Sequence, residues 1–243
     1  MKFKFEISYR IKIICAAVWG VYILASLSQG AGTFYGSGST NLKQIAFSFD
    51  DGPGHATDEI LSILKQYDIQ AVFFMLGSNV KKHPEIAKNV LAEGHEVASH
   101  AYSHVNLYKY KDTIPRGILD KELHLSAETI YQATGYQVRY VRIPHGYYRP
   151  WVREAALAQN VDIVHWTFGC DWEKMDAKEM IDAYVDAAKP GAILLFHDGG
   201  GTKQRQKTIL ILPIIIEKII KKGYTIVPID QLINPHNENK EGK

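Results

Sequence analysis

The amino-acid sequence predicts an α/β fold built from parallel βαβ units, and three observations carry that prediction. Short runs of strand formers alternate with longer stretches of helical spacing along most of the chain. The 243 residues are 46% hydrophobic, enough for one sizeable core in a single domain of the length usual for an α/β barrel. The residues able to carry chemistry fall at or just past the ends of apolar runs, where folds of this class build their sites.

Taken in order, strands are expected over residues 44–49, 71–76, 96–99, 140–142, 163–167, 192–196 and 225–228. In the first of these Ile45, Phe47 and Phe49 alternate with smaller residues, and Gly52-Pro53-Gly54 stops the run. Helical patterns occupy 57–67, 84–92, 116–133, 151–159, 177–188 and 208–221. Before the first strand, Lys2, Lys4, Arg10 and Lys12 precede an apolar stretch over 13–27 and a small-residue zone at Ser28-Gln29-Gly30-Ala31. Residues 1–40 therefore read as a signal peptide or membrane anchor with a linker, and export follows from that reading. Residues 41–234 read as one catalytic domain, expected to be monomeric, and 235–243 as a polar tail.

Charge and cysteine content exclude other classes. The net charge is +2, and the leader holds more than the whole excess, leaving 24 basic against 25 acidic residues beyond position 30. A nearly neutral body lacks the basic field of a nucleic-acid binder. With Cys15 in the apolar leader and only Cys170 in the domain, no disulfide can form within the domain.

Asp50 and Asp51 end the first apolar strand, immediately before the turn. In isolation Asp-Asp-Gly-Pro is equally well read as a polar turn. Downstream, His100 and His104 stand four residues apart, so one helical turn faces both imidazoles the same way. Two His and one carboxylate leave a coordination position open for water, the requirement of a catalytic divalent-metal site. Three more segments end apolar runs: Arg142-Ile143-Pro144-His145-Gly146, Trp166 to Trp172, and Ile193 to Asp198.

Together, these five segments resemble, in order, the motifs of the polysaccharide deacetylases, the NodB-homology family of metal-dependent carbohydrate esterases, over about residues 42–232. The resemblance implies a deformed (β/α) barrel of about seven parallel strands. It implies that Asp51, His100 and His104 bind a divalent transition metal, most plausibly Zn²⁺, which would polarise the acetyl carbonyl and acidify a water. It assigns Asp50 as general base, Arg142 as the arginine that orients it, His197 as general acid and Asp171 as the carboxylate partner of His197. Trp172 and Leu195 match walls of the acetyl-methyl pocket, and the His145 backbone N–H matches an oxyanion donor. The implied reaction is hydrolysis of N-acetyl groups on an extracellular N-acetylated polysaccharide such as peptidoglycan or a chitin-like polymer.

The chain departs from the family pattern at four places. Ala101 stands where Ser or Thr is usual and removes a loop-bracing hydroxyl; Ile143 replaces a Pro, His145 an aromatic, and Phe168 a common Asp. A non-catalytic glycan-binding module, an O-acetyl esterase and a small cyclic-amide hydrolase remain alternatives. Finally, the glycine-rich run 199–207 reads as a mobile rim loop whose Lys203, Arg205 and Lys207 would attract an anionic polymer.

Overall fold

The computed structural model describes residues 31–111, 114–200 and 202–234. The segments read as leader, 1–30, and as tail, 235–243, lie outside these. Among the described residues no helix is long and apolar enough to cross a membrane.

Among the described residues nine parallel strands form the sheet: β1 (Phe34–Tyr35), β2 (Gln44–Asp50), β3 (Val72–Met75), β4 (Glu96–Ser99), β5 (Tyr140–Val141), β6 (Asp162–Val164), β7 (Phe168–Gly169), β8 (Ile193–His197) and β9 (Thr225–Ile226). Their order is β1-β6-β5-β4-β3-β2-β8-β7, and β9 pairs with β2. The path does not join its ends, which gives the deformed, incomplete barrel expected. All seven expected strands have counterparts, and two short ones are additional. β1 lies in the segment read as leader and linker, where Phe34 and Tyr35 pair with Ile163 and Val164. β7 takes up Phe168 and Gly169, so the fourth motif passes through a short strand of its own, which is not a neighbour of the preceding β6 in the sheet.

The helices are α1 (Thr57–Gln66), α2 (Gly77–Val80), α3 (Pro84–Ala92), α4 (Ile114–Thr134), α5 (Pro150–Ala158), α6 (Ala177–Ala187), α7 (Thr202–Lys221) and α8 (Ile229–Ile233). α6 starts at a capping box: Asp176 accepts from the Glu179 N–H at 2.8 Å, and the Glu179 carboxylate accepts from the Asp176 N–H at 3.2 Å. α7 begins six residues before its expected start, so most of the supposed rim loop is helix.

Strand alternation sends one set of side chains under the helices and the other to the opposite face. Phe73, Phe49 and Phe196 stack in sequence and Phe47 meets Phe196 edge-on, with ring centroids 4.9–5.5 Å apart, in the same buried cluster as Ile211, Leu212 and Ile215 of α7. Ala46, Val72, Phe74, Ala98 and Ile193 form a second cluster with Val227 and Leu232. Each fully buried Phe, Leu or Ile contributes roughly 1.5–3 kcal/mol, so these two layers fix the register of the sheet. Register in turn aligns the strand ends: Asp50 pairs with His197, and Ser99, just before His100, pairs with Val141, just before Arg142.

Candidate active site

The ends of β2, β4, β5 and β8 meet at one rim. Asp51, His100 and His104 offer ligand atoms that all lie within 4.8 Å of one another. Asp51 Oδ1 is 3.2 Å from His104 Nε2 and 3.7 Å from His100 Nε2. This oxygen is buried and makes no hydrogen bond. His100 lies 2.7 Å from the Arg142 carbonyl through Nδ1, and because a carbonyl only accepts, Nδ1 carries the proton and Nε2 keeps its lone pair. Burial holds the His100 pKa down to about 3, so the ring is neutral. An orphaned carboxylate oxygen facing an unprotonated imidazole nitrogen, with a second imidazole at hand, is a donor set that fits a divalent transition metal.

The backbone that makes this triad is unusual. Asp51, Ala101, His104 and His145 all adopt positive φ, between 57° and 71°, a region costly for residues other than glycine. The Asp51 turn is clamped on both sides. Asn79 Nδ2 donates to the Asp51 carbonyl at 2.9 Å, and a side chain at Gly199 would put its first carbon 1.9 Å from that oxygen.

Asp50 is turned inward, 2% exposed, and its Oδ1 accepts from Arg142 Nη1 at 2.7 Å. Arg142 is itself fully buried, yet each end of its guanidinium has a partner: the Val164 carbonyl at 3.1 Å, Ser48 Oγ at 2.9 Å and the His165 carbonyl at 2.9 Å. Phe74 lies under it at 4.0 Å. Burial raises the Asp50 pKa, and the Arg142 charge opposes that rise. Neighbouring carboxylates thus have different settings, one in the metal-competent triad and one held by a buried cation.

His197 stands across from Asp50 on β8. Its Nδ1 donates to Asp171 Oδ1 at 2.7 Å and its backbone N–H donates to Asp171 Oδ2 at 2.9 Å, which leaves Nε2 for the site. Burial lowers the His197 pKa, but the hydrogen bond and charge of Asp171 outweigh it and the net direction is up. Burial pushes Asp171 the other way, and the His197 and Arg205 contacts bring it below its ordinary value. Arg205 Nη1 reaches Asp171 Oδ2 and Thr208 Oγ1 the same oxygen, both at 2.9 Å.

The cationic-loop expectation is therefore corrected at Arg205 and Lys207, while the side chain of Lys203 lies outside the described residues. Arg205 is 6% exposed on the first turns of α7, behind Asp171, and Lys207 Nζ donates to the Met175 carbonyl at 2.8 Å. Trp172, 40% exposed, meets the His197 ring edge-on at 5.2 Å, and Leu195 is buried on β8. His145 is exposed on the turn after β5, its ring 4.6 Å from that of His104. Its pKa is lowered by partial burial, then by His104, with Lys109 adding to the effect. Cys170 is buried with a thiol pushed up to about 11, so it is not a nucleophile.

Sequence reasoning gave no role to Ser48, Thr208, Tyr184 and Glu122, and it placed Arg205 on a loop. Tyr184 Oη accepts from the Cys170 and Asp171 N–H groups at 3.1 and 3.2 Å and donates to the Leu195 carbonyl at 2.7 Å. Glu122 of α4 supports the loop between the two histidines: its carboxylate accepts from the Tyr102 N–H at 3.0 Å, the Ser103 N–H at 2.7 Å and Ser103 Oγ at 2.8 Å.

A parallel sheet with a metal-competent triad, a buried carboxylate and a paired histidine at its C-terminal rim defines a metal-dependent hydrolase class. The family model for polysaccharide deacetylase matches residues 37–164, and the chain belongs to that family. A peptidoglycan-N-acetylglucosamine deacetylase of Bacillus cereus is 32% identical over 206 residues, covering 84% of this chain and 73% of the relative. A bifunctional xylanase/deacetylase of Pseudobutyrivibrio xylanivorans is 32% identical over 93% of this chain, which spans only 38% of that protein. Among solved structures, BA3943 of Bacillus anthracis, described as a CE4 family pseudoenzyme, superposes with a TM-score of 0.74 at 26% identity, covering 84% of this chain and 69% of that one.

Proposed function

We propose that this chain removes acetyl groups from the N-acetylated sugars of an extracytoplasmic polysaccharide, releasing acetate. The observation that carries the reading is the opposed pair Asp50 and His197, adjacent in register and flanking the triad, each with its own charged partner. Asp51, His100 and His104 would hold the divalent metal, most plausibly Zn²⁺, whose chemistry is to polarise the acetyl carbonyl and acidify water. Asp50, oriented by Arg142, would accept the water proton. The His145 backbone N–H would stabilise the oxyanion, and His197 Nε2 would give its proton to the departing amine. Trp172 and Leu195 would wall the acetyl methyl. Action outside the cytoplasm rests on the basic and apolar leader at residues 1–30 and on the wall polymer named for the Bacillus relative, and any membrane link would run through that leader. The domain is proposed to act as a monomer.

A non-catalytic reading has one observation in its favour: the same fold occurs in a protein described as a pseudoenzyme. Against it stand the triad and both proton-transfer candidates, each with its partners in place. Acetate release from N-acetylated oligosaccharides, abolished by chelation and restored by Zn²⁺ or another divalent transition metal, separates the two. Release insensitive to chelation refutes the metal mechanism. Loss of activity on amides alone, with activity on O-acetyl glycans retained, makes the chain an esterase. Asp50→Asn should keep the metal and lower kcat by about 10²–10⁴. If it empties the site instead, the two carboxylates have exchanged roles.

A further inference from the structure

Beyond His145 the rim carries a held aromatic ring and two cations that acetyl hydrolysis leaves without a task. Tyr108 sits in the 3₁₀ turn Leu107–Lys109, anchored by fully buried Leu107 and capped by Asn106 Oδ1, which accepts the Tyr108 N–H at 3.0 Å. Its hydroxyl donates to the Gly146 carbonyl at 3.4 Å, beside the proposed oxyanion donor, and its ring meets Tyr147 at 4.8 Å. The Arg149 guanidinium lies 5.9 Å from the Tyr108 centroid and 5.3 Å from that of Tyr147, and donates to the Tyr148 carbonyl at 2.9 Å. Despite these contacts Tyr108 is 53% exposed, Arg149 and Lys109 are exposed, and among the described residues no carboxylate pairs with either cation.

A fixed aromatic ring with a solvent-facing side offers the apolar C–H face of a pyranose a platform at low entropic cost. Guanidinium and ammonium groups that no carboxylate among the described residues pairs with favour a carboxylate ligand. On the other side of the site, two basic groups among the described side chains are already engaged, Arg205 with Asp171 and Lys207 with Met175. We infer that Tyr108, Lys109 and Arg149 form a subsite for the sugar next to the one being deacetylated, and that this sugar carries a carboxylate. The inference rests on the deacetylase reading and narrows its substrate to an anionic glycan, such as one bearing lactyl ether groups, over a neutral chitin-like chain.

The full-length, metal-loaded protein tests it with two substrate sets of equal length, lactyl-bearing wall-glycan fragments and neutral chitooligosaccharides. Replacing Lys109 and Arg149 together with Gln should raise KM about tenfold more on the anionic set, a difference of roughly 1.4 kcal/mol that shrinks in high salt. Tyr108→Ala should raise KM on both sets with kcat little changed, and Tyr108→Phe should recover most of the loss. Equal KM changes on both sets for the double variant, at every salt concentration, overturn the anionic subsite. Calorimetric binding of already deacetylated fragments gives a readout independent of turnover. Wild-type binding that prefers the anionic fragments and weakens in the double variant supports the subsite even if no acetate is released, in which case only the deacetylase reading falls. Binding without preference refutes the subsite alone.

Discussion

Asp171 sets the protonation state of His197, and the sign of that control can be worked out from its contacts. Burial alone lowers the histidine pKa, and the Asp171 hydrogen bond and charge reverse it. Asp171→Asn removes the charge while keeping a side chain of the same shape, so burial prevails and the pKa falls. The protonated acid is then lost at lower pH, and the alkaline limb of the pH–kcat profile should move down by about one pH unit or more. An unmoved limb removes Asp171 from the control of the acid. In a companion measurement, His197→Ala should impair amide hydrolysis more than hydrolysis of an activated aryl acetate, whose leaving group needs no proton. Equal losses would make His197 structural. His197 and Asp171 were singled out in the chain only through the ordered set of motifs that resembles the family's, since a His or Asp at one strand end reads equally well as a polar turn. Arg205 was misread because, after three glycines, a basic residue in a polar run looks like loop, and only the fold shows Thr202 starting a helix that turns Arg205 onto Asp171.

At the level of elements, the loop between the two histidines of the triad shows how one missing hydroxyl is offset. Ala101 cannot brace the loop, but α4 passes beside it and Glu122 takes up two backbone N–H groups and a hydroxyl. Outer groups of this kind orient the ligands they support, and their loss commonly costs 10–100-fold in metal affinity. Glu122→Ala should therefore weaken Zn²⁺ binding by about tenfold in competition with a chromogenic chelator, with Glu122→Gln intermediate. Activity at saturating metal should change much less than affinity does. Unchanged affinity would show that the loop holds its shape without α4. The gap at Ala101 was legible in the sequence, whereas its compensation was not, because Glu122 is 19 residues from Ser103 and reads locally as one more polar residue on a helix. β1 was hidden in a similar way: two aromatic residues inside a Gly- and Ser-rich run show no alternation, and only pairing with β6 makes them a strand.

Across the whole molecule, the same packing that aligns the rim also buries a carboxylic acid beneath it. Asp198 follows β8 and is fully buried under the Gly52–Gly54 turn, where its Oδ2 accepts from Thr57 Oγ1 at 2.6 Å and its Oδ1 has no partner. A side chain at Gly52 would meet it at 2.1 Å, so the contact locks the Asp51 turn to the end of β8. Burial raises the Asp198 pKa to about 7; the Thr57 bond opposes the rise, and the Asp51 and Asp50 charges add to it. The unfolded chain has an ordinary Asp, near pKa 3.9, so between about pH 4 and 7 the folded state binds more protons than the unfolded one. Stability from this group is full below the unfolded pKa and is lost as pH rises through the folded value. Urea unfolding in the presence of chelator should show a midpoint that falls from pH 5 to pH 8. Asp198→Asn keeps an oxygen for Thr57 and has no proton to lose, so its midpoint should fall less and should exceed the wild-type value at pH 8. Asp50, also raised by burial, contributes to the slope in both proteins and cancels in the comparison. Parallel pH dependences for the two proteins would mean that Asp198 ionises as freely in the fold as in water, and that its place under the turn is one of packing alone.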